Sequence, residues 1–185
     1  ESFPFEKIFE YLDHEKSYIR YVAADALGNY ILLKPENVSE TKLQSLREKV
    51  VAKLMVLSIE DDDEDVREMA SESISEYLVM NKDSSFQNIN FQGRPTDIVD
   101  YYIENLKSED FKKQNNASEA IKAIGPTIEK DVYRILSNFI DGDNIEVKRD
   151  LLETLGLLGE DIHKEVDLNQ VYGYTAHKDD KVKKK

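Results

Sequence analysis

The chain has 185 residues, of which 40% are hydrophobic and 34% charged, with seven Gly, four Pro and no Cys. This composition favours an ordered helical protein with a sizeable core, and it excludes disulfides, thiolate zinc sites and a cysteine nucleophile. The net charge of -13 argues against nucleic-acid or membrane-surface binding, and with no apolar run of roughly 20 residues and no signal peptide we expect an intracellular, cytoplasmic protein.

Hydrophobic spacing predicts four helices in the first half of the chain. A short helix covers Pro4–Leu12, and a second runs from Ser17, which can cap it, to about Leu32. Ser39 can cap a long third helix after a linker. The acidic run Glu60–Asp65 places carboxylates at the positive N-terminus of a fourth helix, which continues to about residue 80.

The second half is predicted to start with an insertion. Helical periodicity disappears from Asn81 to Gly93, after which Pro95 and Thr96 restart a helix. Asp110–Ile124 forms its partner, ended by Gly125 and Pro126. A further helix pair is predicted over 126–156, and residues 160–177 form a partial fifth pair or a cap. The Lys-rich segment 178–185 is expected to be disordered because its charges repel and little apolar surface can be buried.

One pattern of residue types returns four times along the chain. Counted from an acid, the copies begin at Asp13, Glu60, Asp110 and Asp141. Seven residues after each acid stands a column of Arg20, Arg67, Ala117 and Lys148. Later columns hold small residues and then Leu or Ile, and the copies close at Gly28, Ser75, Gly125 and Gly156.

The columns predict how neighbouring helix pairs stack. Each pair buries too little apolar surface alone, and small residues let adjacent helix backbones approach closely. Gly at the end of a copy is typical of a helix C-cap. The acids and bases are predicted to form an ion-pair ladder that sets the register between repeats, made of Asp13, Arg20, Glu60, Arg67, Asp110, Asp141 and Lys148.

The order Asp, then Ile or Val with Arg, then Ala-x-x-Ala-Leu-Gly resembles the HEAT repeat, most clearly at Asp13–Gly28. The resemblance implies an all-α fold, an armadillo-type α-α superhelix or solenoid. About four stacked helix pairs would fill residues 1–159, over 4–33, 39–80, 95–125 and 126–156. The third copy departs from the pattern at Asn116 and Ala117, so either its helix is shifted or its ladder is broken.

In a HEAT array the second helix of each pair lines the concave side. The resemblance therefore implies a groove for a basic or amphipathic protein segment, because the residues placed there are mostly acidic or small. The alternative is a solvated face with no partner. The candidate partner-binding residues are Tyr21, Asp25, Glu68, Glu72, Glu119, Lys122 and Glu153, with Phe86 and Phe91 of the insertion; Ala24, Ser71, Ser118 and Asp150 share the same positions.

Two groups of residues match known metal-binding patterns only in part. Asp61, Asp63, Asp65 and Glu72 match four ligand positions of a calcium loop, but Val66 stands where that loop needs Gly. His14-Glu15 is similar to the His-Glu pairs of HEAT-like hydroxylases, whose di-iron centre needs several such pairs, and this chain has one. We predict no catalytic, cofactor-binding or metal-binding residue.

Two functions follow from the sequence. The leading hypothesis is a non-enzymatic scaffold or adaptor that binds a basic or amphipathic segment of another protein on an acidic concave face. The alternative is a HEAT-like metal-dependent enzyme or a regulatory subunit of an enzyme complex. The chain can also be part of a longer solenoid.

Overall fold

The computed structural model describes residues 5–33, 38–81, 88–128, 135, 139 and 144–157. Within these ranges the protein is mostly helical, with seven α-helices and one two-stranded hairpin. No helix in these ranges is both long and apolar enough to cross a bilayer. The chain divides into two compact units, Glu1–Tyr101 and Tyr102–Lys185.

Four helices form most of the first unit, and three of them follow the sequence prediction closely. Helix α1 (Phe5–Glu10) continues into a 3₁₀ turn, and α2 spans Ser17–Leu32. Helix α3 spans Glu40–Glu60, with the Ser39 hydroxyl accepting a hydrogen bond from the Lys42 N–H. Helix α4 spans Glu64–Met80, and the Asp63 carboxylate caps it by accepting from the Val66 N–H. The predicted cap Ser39 is confirmed, and Asp63 belongs to the acidic run that was predicted at the start of α4.

The core of the first unit lies where α2, α3 and α4 contact one another. The apolar residues of these helices recur at three- and four-residue spacing, so each helix turns one stripe inward. Ser17 does not cap α2 as predicted; Lys16 holds that position, without a side-chain hydrogen bond. Fully buried core residues include Leu12, Leu27, Ile31, Leu43, Val50, Leu54, Met55, Val66, Ile74 and Tyr77.

Gly28 lies inside α2 and does not end it, which corrects the prediction of a C-cap. A Cβ atom built on Gly28 would stand 2.4 Å from the Ser73 Oγ and 2.7 Å from the Ser73 Cβ. Both distances are shorter than van der Waals contact, so only Gly lets α2 approach α4 this closely. The glycine is therefore a contact residue between two helices.

A β-hairpin stands where the sequence predicted a loop followed by a helix. Strand β1 (Asn88–Phe91) pairs antiparallel with β2 (Arg94–Asp97), and the turn residues Gln92 and Gly93 have φ of 50° and 80°. Positive φ at both central residues matches the twist of a tight hairpin. Pro95 and Thr96 are thus strand residues, and α5 (Ile98–Leu106) begins later than predicted. The Asp97 carboxylate starts α5 by accepting from the N–H groups of Val99 and Asp100.

The second unit contains the end of α5, then α6 (Phe111–Ile124), a 3₁₀ turn over Gly125–Thr127, and α7 (Ile145–Leu157). Helices α6 and α7 contact each other. A Cβ atom on Gly125 would stand 2.4 Å from the Thr154 Cγ2. Gly125 and Thr154 occupy the same two columns of the repeated pattern as Gly28 and Ser73, so the same close contact recurs between successive copies in both units.

Helix α6 begins at a different position of the repeated pattern from the corresponding helices of the other copies. In the other copies the helix is preceded by Lys16, Asp63 or Asn144, each three residues after the acid that begins the copy. In the third copy that acid is itself the N-cap, because the Asp110 carboxylate accepts from the Lys112 N–H at 2.8 Å. Helix α6 therefore begins about one turn earlier in the pattern, and the two residues that depart from the pattern, Asn116 and Ala117, are buried.

Several predictions lie outside the described residues. These are most of the first helix of the 126–156 pair, the turn that contains Asp141, the segment 160–177 and the Lys-rich segment 178–185. Of that first helix, Ile128 and Ile135 are described, and both are buried.

A candidate protein-binding face

Arg20 joins the beginning of α2 to the turn before α4. Its Nε and Nη2 atoms donate to the two carboxylate oxygens of Asp61 at 2.8 and 2.6 Å, and Nη2 also donates to Asp62 at 2.7 Å. The side chains of Arg20 and Asp61 are 12% and 3% exposed. The hydrogen bond to Asp61 raises the pKa of Arg20 above its ordinary value. This two-pronged ion pair fixes the register of the two helices.

One ion pair joins these two copies, but its acid, Asp61, is not among the predicted ladder residues. The partner of Arg20 is Asp61, which follows Glu60 in the sequence. The side chain of Glu60 itself is exposed. The remaining predicted ladder residues are engaged differently: Asp13 pairs with Lys53 of α3, Arg67 donates to the Asp61 carbonyl oxygen at 3.1 Å, Asp110 caps α6, and Lys148 is half-buried in α7.

Two carboxylates in the acidic turn before α4 make contacts that stabilise the fold. Asp61 is held by Arg20 and also accepts from the Asp63 N–H at 3.0 Å. A hydrogen bond from the Ser17 hydroxyl, followed by the N–H groups of Val66 and Asp65, lowers the pKa of Asp63. Over the described ranges, no group of three or more His, Asp or Glu residues is arranged to hold a metal ion. Of the four carboxylates considered for calcium, Asp61 forms an ion pair and Asp63 caps a helix, whereas Asp65 and Glu72 are exposed.

Helices α2 and α4 lie side by side and expose different types of side chain. They run in the same direction, because Arg20 near the start of α2 reaches the turn before α4 and Gly28 near its end meets Ser73. On α2, Tyr18, Tyr21 and Val22 are 63%, 36% and 58% exposed. They share one helical face with the exposed Asp25, at spacings of three, four and seven residues.

The exposed face of α4 is acidic. Asp65, Glu68, Glu72 and Glu76 are all exposed at helical spacing, and none of their carboxylates pairs with a cation in the part of the chain that the structure describes. Helices α2 and α4 are parallel and in contact, and their exposed residues occupy equivalent positions of the repeated pattern, so the two exposed faces lie on the same side and form one surface. We name this surface the α2–α4 face; it comprises Tyr18, Tyr21, Val22 and Asp25 of α2 and Asp65, Glu68, Glu72 and Glu76 of α4.

The predicted groove residues of the first unit divide into two groups. Tyr21, Asp25, Glu68 and Glu72 lie on the α2–α4 face, as expected of an accessible surface. Ala24 and Ser71 are buried instead, because α2 and α4 each contact neighbours on more than one side and their buried arcs are wide. Tyr18 joins the face although the sequence did not indicate it, and so does Val22, an exposed apolar residue of α2.

In the second unit most of the predicted groove residues form ion pairs or hydrogen bonds with one another. Lys122 of α6 forms an ion pair with Glu153 of α7. The Ser118 hydroxyl donates to the Asp150 carboxylate at 2.8 Å, and both side chains are buried. Asp150 also accepts from Arg149, which raises the pKa of Arg149. Glu119 is exposed. These contacts hold α6 against α7, so Lys122, Glu153, Ser118 and Asp150 are interface residues.

The aromatic residues of the insertion are only partly described. Phe91 is half-buried, and its ring packs edge-on against that of Tyr101 with 5.3 Å between centroids. This contact anchors the hairpin to α5, whereas the sequence placed Phe91 among the candidate partner-binding residues. Phe86 lies outside the described residues.

No protein-family model matches the chain, and no curated protein sequence matches it. The chain is similar to crystal structures of engineered proteins. One is 16% identical with a TM-score of 0.49, over 98% of this chain and 75% of the engineered one. A second is 16% identical with a TM-score of 0.49, over 97% and 45%. A third is 17% identical with a TM-score of 0.45, over 98% and 95%.

Proposed function

We propose that the protein is a non-enzymatic scaffold of HEAT-like stacked helix pairs that binds a basic segment of another protein. The observation that carries the proposal is the row of exposed carboxylates on α4, which has no cationic partner among the described residues. A basic segment would supply the missing charges. The stacked arrangement is supported by the recurrence of the Gly28–Ser73 contact as Gly125–Thr154.

The acidic row costs stability, which argues that it has another use. Glu68, Glu72 and Glu76 are four residues apart, and like charges at this spacing destabilise a helix by about 0.2 to 0.5 kcal/mol for each pair. Two such pairs cost about 0.4 to 1 kcal/mol. Cations of a partner would relieve the repulsion and accelerate association through electrostatic attraction.

Charge reversal on this row tests the proposal. Glu68→Lys/Glu72→Lys is compared with Glu10→Lys/Glu109→Lys, a control with the same change in net charge at exposed positions outside α2 and α4. Binding of a fluorescent Lys-rich peptide is measured by anisotropy over a series of salt concentrations. We expect the first variant to lose at least about tenfold more affinity than the control, a difference of about 1.4 kcal/mol. Equal losses would mean that the peptide senses only net charge, which contradicts a specific acidic face.

A further inference from the structure

The α2–α4 face has an apolar side as well as an acidic side. Tyr18 and Val22 are more than half exposed on α2, and the corresponding positions of the next copy, on α4, are Asp65 and Met69. The apolar strip Tyr18, Tyr21 and Val22 therefore lies beside Asp65 and Glu68, and the acidic row Glu68, Glu72 and Glu76 extends past the end of the strip, beside Asp25. A partner that carried charge alone would cover the row and leave the strip in water.

We propose that the face binds a basic amphipathic α-helix, with its apolar stripe on the strip and its Lys or Arg side chains on the row. This inference rests on the proposed function and specifies its partner. Packed helices have axes about 8 to 10 Å apart, and a third helix of about 10 Å diameter can contact both along the groove between them. Its apolar and charged faces would then match the two sides of the groove.

The dimensions of the face set the length of the bound helix. The residues of the face extend from Tyr18 to Asp25 on α2 and from Asp65 to Glu76 on α4. At 1.5 Å per residue the two stretches rise roughly 10 and 16 Å. A partner helix of about three turns covers the longer stretch. Tyr residues in such a strip are strong anchors because they bury a large area with few rotatable bonds.

Three synthetic peptides test this proposal against the full chain. One is an amphipathic Leu-Lys helix, the second has the same composition with the periodicity scrambled, and the third replaces each Leu with Ser. We expect the amphipathic peptide to bind at least about tenfold more tightly than the scrambled one. Its helical circular dichroism at 222 nm should increase on binding.

Variants then separate the apolar strip from the acidic row. Tyr18→Ser is compared with Phe111→Ser, which removes a ring of nearly equal exposure from α6, 64% against 63%. We expect Tyr18→Ser to weaken binding of the amphipathic peptide about tenfold and to leave binding of the peptide with Ser in place of Leu unchanged. Phe111→Ser should change the binding of neither peptide. Glu68→Lys/Glu72→Lys should weaken both peptides.

The outcomes distinguish the two proposals. If amphipathic and scrambled peptides bind equally, or Tyr18→Ser has no more effect than Phe111→Ser, the helix inference is wrong. The acidic-face proposal still stands in that case if the charge reversal exceeds its control. Sedimentation equilibrium adds a third readout: a dimer that Tyr18→Ser dissociates would assign the strip to a second copy of the chain and overturn the inference.

Discussion

Replacing Gly28 by Ala adds one methyl group at the closest approach between α2 and α4. In an isolated helix the change would stabilise by about 1 kcal/mol, because Gly is a poor helix former. Here the new Cβ would stand 2.7 Å from the Ser73 Cβ, an atom fixed to its backbone that cannot rotate away. Overpacking of this kind costs about 1 to 3 kcal/mol, and a clash between two Cβ atoms belongs near the upper limit. We expect a net loss of about 2 kcal/mol in the free energy of unfolding.

The compensating change is Ser73→Gly, which removes both atoms that the new methyl group would meet. We expect Gly28→Ala/Ser73→Gly to return to within about 1 kcal/mol of the wild type, and the double-mutant cycle to show a coupling energy of about 2 kcal/mol. Urea unfolding followed by circular dichroism at 222 nm measures all four proteins. A Gly28→Ala protein as stable as the wild type, or a double mutant no better than the single one, would refute close contact at this position.

Three further predictions concern the turn before α4 and the hairpin. Asp61→Asn keeps an oxygen for the Asp63 N–H but removes the charge facing Arg20. The exposed Asp62 still pairs with Arg20, so we expect the free energy of unfolding to fall by about 2 kcal/mol, less than the loss of about 3 to 5 kcal/mol that is typical of a broken buried pair. Urea unfolding measures this loss, and an unchanged midpoint would contradict the role of Asp61. The pKa of Asp63 is lowered in the folded state, so its contribution is present above the unfolded value of about 3.8 and disappears as pH falls through the folded pKa. Asp63→Asn retains a capping side chain, and its melting temperature should therefore depend less on pH below about 4 than that of the wild type, whereas parallel curves would contradict the assignment. Gln92→Asn should stabilise the hairpin by about 0.5 kcal/mol, because Asn tolerates the observed φ of 50° better than Gln; thermal melting would show no gain if that turn geometry is absent.

The lysine-rich peptide and charge-reversal experiments address function, whereas these substitutions address the repeat contacts on which the face depends. The two sets are linked by α2. Its buried side meets α4 through Gly28, and its exposed side carries the apolar strip. A substitution that separates α2 from α4 should weaken peptide binding as well as stability, since the strip and the acidic row would no longer lie side by side.

Local sequence determined most of the helices. Helix α2 follows its predicted bounds, the predicted cap of α3, Ser39, accepts the expected hydrogen bond, and the acidic run predicted at the start of α4 contains the cap, Asp63. These features depend on the spacing of residue types and on backbone groups within a few residues, so the pattern along the sequence is enough to predict them. The sequence also predicts a helix here, although Pro95 and Thr96, placed at its start, belong to the hairpin. The alternation of Ile89 and Phe91 was too short to distinguish a strand from a loop.

Tertiary structure decided which members of each column act together. The sequence indicated that an acid would meet Arg20, but only packing shows that Asp61, and not Glu60, comes within reach. It also converts Gly28 from a helix end into a contact, because the role of a missing Cβ depends on what lies across from it. The acidic residues looked equivalent along the chain. In the folded protein Glu153 is neutralised by Lys122, whereas Glu68 and Glu72 remain exposed beside Tyr18 and Val22. Periodicity determines which residues share a helix face, and only the pairing of helices determines which faces are left for a partner.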